Sequence, residues 1–293
     1  MSRGKTMKIL LIHIITAASL LGRCTFSLAQ EETRSKYALE LSGIYNFTNL
    51  NMSDVNDEIG YQVRDFENTK QFYGAKAENV EKFNLTNMLD LKLGLRYWRM
   101  LGGLNFSTAY STDGGFNTSH SVDYPNNQDI THYDIYGNYK MSLSTKEYLF
   151  YLGYLHPINK WLDVAILGSF GIGSAEAQMN KSRRKFRDNE PQYSSQSTHV
   201  LKDDYNPSRV EGHLRFNATK YVCVDLTVGY RISKPPNMRG DIKNIENGQE
   251  QTPQFDEPAE HHHDNASVTE LLFDYSGMFY GIGITLKHPY EKK

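Results

Sequence analysis

Apolar and ionisable side chains alternate with a period of two in segment after segment of this chain. From Leu89 to Tyr97 one phase carries Leu89, Leu91, Leu93, Leu95 and Tyr97, and the other Asp90, Lys92, Gly94 and Arg96. From Val222 to Ile232 the apolar phase is Val222, Val224, Leu226, Val228, Tyr230 and Ile232, set against Cys223, Asp225, Thr227, Gly229 and Arg231. Only a strand puts successive side chains on opposite faces, so each run is a strand with one oily and one charged face. Read for this period, the chain holds eight strands, at 36–48, 86–98, 102–112, 146–156, 161–174, 207–217, 221–233 and 270–287. A soluble sandwich also alternates, so the turns must decide.

Three connections are short: Trp98 to Leu101, Pro157 to Lys160 and Asn217 to Lys220. Four are long and rich in Asn, Asp, Ser, Gln, Lys and Glu: 49–85, 113–145, 175–206 and 234–269. Short and long alternate strictly, which in an up-and-down barrel puts every short turn at one end and every long loop at the other. That is the arrangement of an outer-membrane barrel with short periplasmic turns. The stretch 131–141, with Tyr133, Tyr136 and Tyr139, reads as the fourth strand continuing beyond the membrane. Counting it separately, and splitting the last strand near Gly277, would give ten. The expected fold is all-β, a transmembrane antiparallel up-and-down barrel of eight strands with four long extracellular loops.

Targeting agrees with export. Arg3, Lys5 and Lys8 precede an apolar run from Ile9 to Leu21, and Ser27 and Ala29 are spaced for cleavage, so residues 1–29 read as a signal peptide and 30–293 as the barrel. Cys24 follows Leu21 and Gly22 as in a lipoprotein signal, but Arg23 stands where a small residue is expected. Removing the signal leaves only Cys223, so no internal disulfide forms. Beyond the signal no run approaches the roughly 18 apolar residues a spanning helix needs. A mean hydropathy of -0.58 would suggest a soluble chain, but the polar lumen phase and loops of a barrel hide its lipid-facing half. The net charge of -2 gives no reason to expect nucleic acid as a partner. Twenty Tyr and fourteen Phe suit aromatic girdles at both membrane edges. Two of the short turns carry Lys before an aromatic, Lys160-Trp161 and Lys220-Tyr221, as interfacial anchors do.

At this point the chain resembles the small eight-stranded outer-membrane barrels of Gram-negative bacteria, such as the barrel domains of outer-membrane proteins A and X. The resemblance covers about 36–288 and rests on the signal peptide, the alternating strands, the loop asymmetry and the closing run Phe279-Tyr280-Gly281-Ile282-Gly283-Ile284-Thr285-Leu286. It implies outer-membrane lipid, lipopolysaccharide and the barrel-insertion machinery as partners. Members commonly end in an aromatic that this machinery reads, whereas here Tyr290 is followed by Glu291, Lys292 and Lys293.

Turning the apolar phase to lipid places Glu40, Asp90, Asp163, Glu211 and Asp225 in the lumen with Lys92, Arg96, Arg209, Arg215, Arg231, Lys287 and His213. Eight strands enclose only enough room for side chains, and buried charges must be paired. The reading is a structural ionic network closing the lumen; the rival is a narrow polar pore. Inward glycines, Gly94, Gly173, Gly229, Gly281 and Gly283, would make room for the arginines or relieve strand coiling. His261, His262 and His263 lie between Glu260 and Asp264, but consecutive residues point in different directions, so they read as a polar loop rather than a metal site. Lys181, Arg183, Arg184, Lys185 and Arg187 form a basic cluster in the third long loop, which reads either as a contact with lipopolysaccharide phosphates at that expected height or as a merely solvated run. Ser169, Asp163, His213 and His156 are the raw materials of a hydrolase, yet nothing arranges them as a triad, and no nucleophile-elbow, metalloprotease or nucleotide motif occurs. The chain therefore reads as a non-enzymatic surface protein that binds an extracellular or host partner, or braces the envelope, without metal or cofactor. A small-solute channel and a lipid-modifying hydrolase are the alternatives.

Overall fold

A computed structural model describes residues 37–68, 73–83, 85–126, 129–258, 260–262 and 268–290. The segment read as a signal peptide, with Cys24, lies outside the described residues, as does His263. In chain order the elements are β1 (Tyr37–Asn49), α1 (Ser53–Asn68), β2 (Tyr73–Glu81), β3 (Leu85–Tyr97), β4 (Met100–Asn126), β5 (Asp129–Pro157), β6 (Leu162–Arg187) and β7 (Glu190–Tyr205). There follow β8 (Ser208–Asn217), β9 (Val222–Ile232), β10 (Arg239–Glu246), β11 (Gln249–Glu250), β12 (Gln254–Pro258), β13 (Glu260–His262), β14 (Val268–Glu270) and β15 (Gly277–Tyr290).

Eight of these strands form a ring. The antiparallel pairing runs β1, β3, β4, β5, β6, β8, β9, β15 and back to β1. Passing from partner to partner through Tyr37, Tyr97, Met100, Tyr154, Ile166, Gly212, Val228 and Tyr280, the ladder returns to β1 at Phe47, a stagger of ten residues (37 to 47). Such a stagger makes the strands climb obliquely, as barrel closure requires.

The ring's outside is apolar. Leu39, Leu41, Leu91, Leu93, Leu95, Leu152, Ile166 and Val228 are all exposed. Tyr37, Tyr97, Trp98, Tyr154, Trp161, Tyr221 and Tyr290 ring the short-turn end, and Tyr45, Tyr110, Tyr148, Tyr230 and Tyr280 ring the other. On β15 the belt runs from Tyr280 to Tyr290, the ten or so residues a tilted strand needs to cross a membrane. An exposed apolar band flanked by aromatic girdles is what a bilayer selects.

The long connections depart most from expectation. Fifteen strands and one helix occur among the described residues, not eight strands and polar loops. The stretches 113–145 and 175–206 are mostly strand, because β4 and β5 rise as one long hairpin and β6 and β7 as another. Residues 131–141 lie inside β5 and do extend the fourth strand. From Leu162 to Lys185, β8 and then β7 pair with β6 in one register, interrupted at Asn206-Pro207, and the register shifts between Lys185 and Phe186. Above the ring, β2, β4, β5, β6, β7, β10 and β12 pair in that order as an open sheet. Both outermost strands, β2 and β12, carry register shifts and non-glycine residues with positive φ, Asn79 at 53° and Asp256 at 58°. Such irregularities blunt an edge against further pairing.

A second core fills the hollow of this upper sheet as far as Met179 on β6, beyond which Lys181 and Arg183 on the same phase are exposed. Val55 and Ile59 recur four residues apart on α1 and meet Phe116, Tyr139, Met141, Leu143, Ala177 and Leu201 from the sheet. Asn56 fixes the helix by bonding the Phe83 backbone twice, its Nδ2 donating to the carbonyl at 2.8 Å and its Oδ1 accepting from the amide at 2.7 Å. Leu271, Phe273 and Tyr275 alternate inward into the same core without being in a strand, which is why the last strand reads from 270 in sequence and starts at Gly277.

The inward glycines make room for neighbours other than arginine. A Cβ on Gly94 would sit 1.9 Å from the Tyr151 hydroxyl, on Gly229 2.5 Å from Phe279, and on Gly281 2.1 Å from Asn46 Oδ1. Gly168 meets nothing within 4 Å. Gly94→Ala is therefore expected to destabilise the barrel by about 1–3 kcal/mol through overpacking, and Gly168→Ala to leave it unchanged within error. Urea unfolding in lipid vesicles checks this, and equal effects at both positions would contradict it.

Candidate functional site

The inward phases of β1, β3, β5, β6, β8, β9 and β15 carry the ring's charges, and the network they form is stacked in tiers. Nearest the short turns, Glu40 Oε2 accepts from Arg215 Nη1 at 2.7 Å, and Arg215 Nε lies 2.9 Å from Asp225 Oδ1. Arg96 Nε stands 3.7 Å from Glu40 Oε1. Thr285 donates to Asp225, Lys287 donates to Asn217 at 2.7 Å, and Asn217 donates to Asp163 at 3.0 Å. In the middle tier Glu211 accepts from Lys92 and lies 3.0 Å from His213 Nε2, whose other ring nitrogen lies 3.3 Å from the Thr227 hydroxyl.

In the upper tier Arg209 Nη1 donates to Asp90 at 2.9 Å and Nη2 to Glu147. Glu147 also faces Arg231 Nη2 at 2.9 Å and accepts from Tyr205 at 2.6 Å and Ser233 at 2.8 Å. Arg231 further donates to Ser233 and Thr145, both at 2.8 Å.

Every lumen residue named from sequence is buried: Glu40, Asp90, Lys92, Arg96, Asp163, Arg209, Glu211, Arg215, Asp225 and Arg231, with His213 and Lys287. Glu147, also fully buried, is the one sequence reading missed. Both phases of β5 are apolar around it, with Leu149, Tyr151 and Leu155 inside and Tyr148, Phe150 and Leu152 outside, so alternation gave no inward phase to assign. With Glu147 the described lumen holds six carboxylates against six Lys and Arg, a neutral set. The wall opposite the charges is apolar, built by Leu101, Tyr151, Leu155, Ala165 and Leu167.

The hydrolase candidates do not converge. Ser169 faces the lumen without a hydrogen-bond partner among the described residues, His213 is engaged by Glu211, Asp163 lies beside Asn217, and His156 is exposed on the outside of β5. His261 and His262 lie in β13, paired with β14. The basic cluster splits across β6: Lys181, Arg183 and Lys185 share one face, while Arg184 points to the other.

Ring, aromatic girdles and charged interior together define a small transmembrane β-barrel of the Gram-negative outer-membrane class. No protein-family model and no curated protein matches the chain. Among solved structures it is similar to Ail, the attachment invasion locus protein of Yersinia pestis, in complex with the heparin analogue sucrose octasulfate, at 13% identity and TM-score 0.32, covering 86% of this chain and 99% of that one. It is also similar to the outer-membrane protein OprG of Pseudomonas aeruginosa, at 13% identity and TM-score 0.31, covering 88% and 98%. The third is the outer-membrane protease OmpT of Escherichia coli, at 10% identity and TM-score 0.26, covering 89% and 100%. Likenesses this distant carry no argument about what this chain binds or does.

Two predictions follow from the geometry. Glu147→Ala leaves Arg209 and Arg231 facing each other without their carboxylate, and breaking a buried pair in this way costs about 3–5 kcal/mol. Lys202→Ala, removing half of a surface pair at 3.3 Å, is expected to cost less than about 1 kcal/mol. Unfolding midpoints that fail to separate the two variants would contradict the network.

The second concerns His120, which is buried edge-on to Phe66 of α1 with ring centroids 5.0 Å apart. Burial first, and the Arg183 guanidinium second, push its pKa from 6.5 down to about 4. The unfolded imidazole takes up its proton before the folded one does. The stability it contributes is therefore complete above pH 6.5 and lost as pH falls towards 4. Burial lowers the pKa of His199 in the same direction. Amides of α1 are expected to exchange faster at pH 5 than at pH 7 after correction for intrinsic rates, and His120→Gln to reduce the difference. A pH-independent protection would contradict this.

Proposed function

We propose that the chain is a non-enzymatic surface protein: a sealed barrel anchored in the outer membrane, its short turns periplasmic, carrying an ordered extracellular sheet for recognition. The observation that carries this reading is the pair of stacked interiors. The ring is crossed by a neutral, interlocked set of charges. Directly above it, the apolar core binds α1 and the two long hairpins into one body. A pore needs an open, hydrated path, and an extracellular core capping the lumen works against one. A recognition surface needs the opposite, rigid elements held at fixed geometry beyond the membrane.

Small-solute transport and lipid hydrolysis are the competing functions. A hydrolase would need a nucleophile and a base within hydrogen-bond reach, and the Ser and His residues considered for that role lie apart. In planar bilayers the purified protein is expected to give no steady conductance, and Glu147→Ala or Arg209→Ala to introduce noisy openings by freeing the upper tier. Steady open channels in the unmodified protein would overturn the sealed-barrel reading.

A further inference from the structure

The inner face of the upper β6 holds a row of three cations beyond the ionic network of the ring. Lys181, Arg183 and Lys185 recur at every second residue, on the phase that lower down buries Ala175 and Ala177. Their spacing on one strand face is about 7 Å. Among the described residues neither Lys181 nor Arg183 forms an ion pair with a carboxylate. Lys181 instead sits 5.4 Å from the Tyr139 ring centre, and Lys185 sits 3.7 Å from that of Tyr133. The charge of Arg183 is felt across the hollow as one cause of the lowered pKa of His120. Beside the row on β7, Ser197 is the partner of Lys181 and Ser195 the partner of Arg183.

The row stands well above the lipid. Ile172 is the last strongly exposed apolar residue on β6. Lys181 lies nine residues further on (172 to 181), about 30 Å along the strand and more than about 20 Å in height once the tilt of a barrel strand is allowed for. It also faces the hollow of the sheet, away from the surrounding leaflet. Height and direction both correct the expectation that this cluster meets the phosphates of neighbouring lipopolysaccharide.

We infer that the row Lys181, Arg183 and Lys185 is a binding groove for a linear anionic polysaccharide that arrives from outside the cell. This rests on the reading of the upper sheet as the recognition surface. Evenly spaced cations suit a polymer with regularly repeated charges, and the serine hydroxyls alongside suit sugar hydroxyls. Single-stranded nucleic acid fits less well. It needs free aromatic faces for its bases, and the two β5 rings beside the row are already covered by Lys181 and Lys185.

The intact protein in detergent is titrated with dextran sulfate, uncharged dextran, an oligothymidylate and lipopolysaccharide micelles at physiological salt. Dextran sulfate alone is expected to bind tightly. The triple variant Lys181→Gln, Arg183→Gln, Lys185→Gln is expected to bind at least tenfold more weakly and with a shallower salt dependence. A control triple on the opposite face, Lys140→Gln, Arg184→Gln, Lys202→Gln, is expected to stay within twofold. If the inner triple does not fold, Arg183→Gln alone should weaken binding severalfold. Equal loss in both triples, absence of dextran sulfate binding, or preferential binding of the oligothymidylate or the micelles through this row would overturn the inference. Ion conductance with this binding intact would overturn the sealed barrel and leave the groove; a sealed barrel without the binding would overturn the groove alone.

Discussion

Everything in this molecule depends on burying charge in a ring too narrow to hydrate it. Eight strands leave room for side chains and little else, and an unpaired charge there would cost several kcal/mol. The solution is stoichiometric as well as geometric: six carboxylates meet six Lys and Arg in the described lumen, and the bonds run between strands far apart in sequence. Arg209 joins β8 to Asp90 on β3 and Glu147 on β5, while Arg215 joins β8 to Glu40 on β1. These pairs cross the interior and so do more than the ladder, which links only neighbours.

Lipid sets the other half of the design. A belt that faces hydrocarbon gains nothing from being polar, so the apolar phase turns outward and the polar phase inward, the reverse of a soluble sandwich. The polar phase then needs an interior in which every charge is matched. Above the bilayer the logic returns to that of a water-soluble domain: the hairpins hide Tyr139, Met141 and Leu143 inside against α1 and leave Lys140, Arg184 and Lys202 outside. One continuous strand such as β6 obeys both rules in turn. Its outer face is apolar at Ile166, Phe170 and Ile172 and polar from Ser174 to Arg184.

The ring was legible in the sequence because its signal is a strict period-two contrast between chemically opposite faces, as at Leu89 to Tyr97. Contrast is also why β5 hid Glu147: with Leu149 and Tyr151 on one phase and Tyr148 and Phe150 on the other, no face stood out. The upper sheet was illegible for a different reason. Its solvated face mixes Asn, Ser, Thr and Gln with Lys, Arg and Glu, and its core residues are spread over α1, four strands and irregular stretches such as Leu271 to Tyr275, so no single segment shows a pattern long enough to read. The helix is short, and its apolar positions Val55, Ile59 and Val63 are diluted by Asp54, Asp57 and Glu58, which made it look like polar loop.

The central claim is that the lumen charges act as coupled pairs and not as independent polar fillers. A double-mutant cycle on Glu40 and Arg215, bonded at 2.7 Å across the ring, measures that coupling directly through the free energy of unfolding in vesicles, with Glu40→Gln, Arg215→Met and the double variant. The account predicts a coupling energy in the upper part of the range seen for residues in one network, about 2–3 kcal/mol. Additive effects of the two substitutions would contradict it.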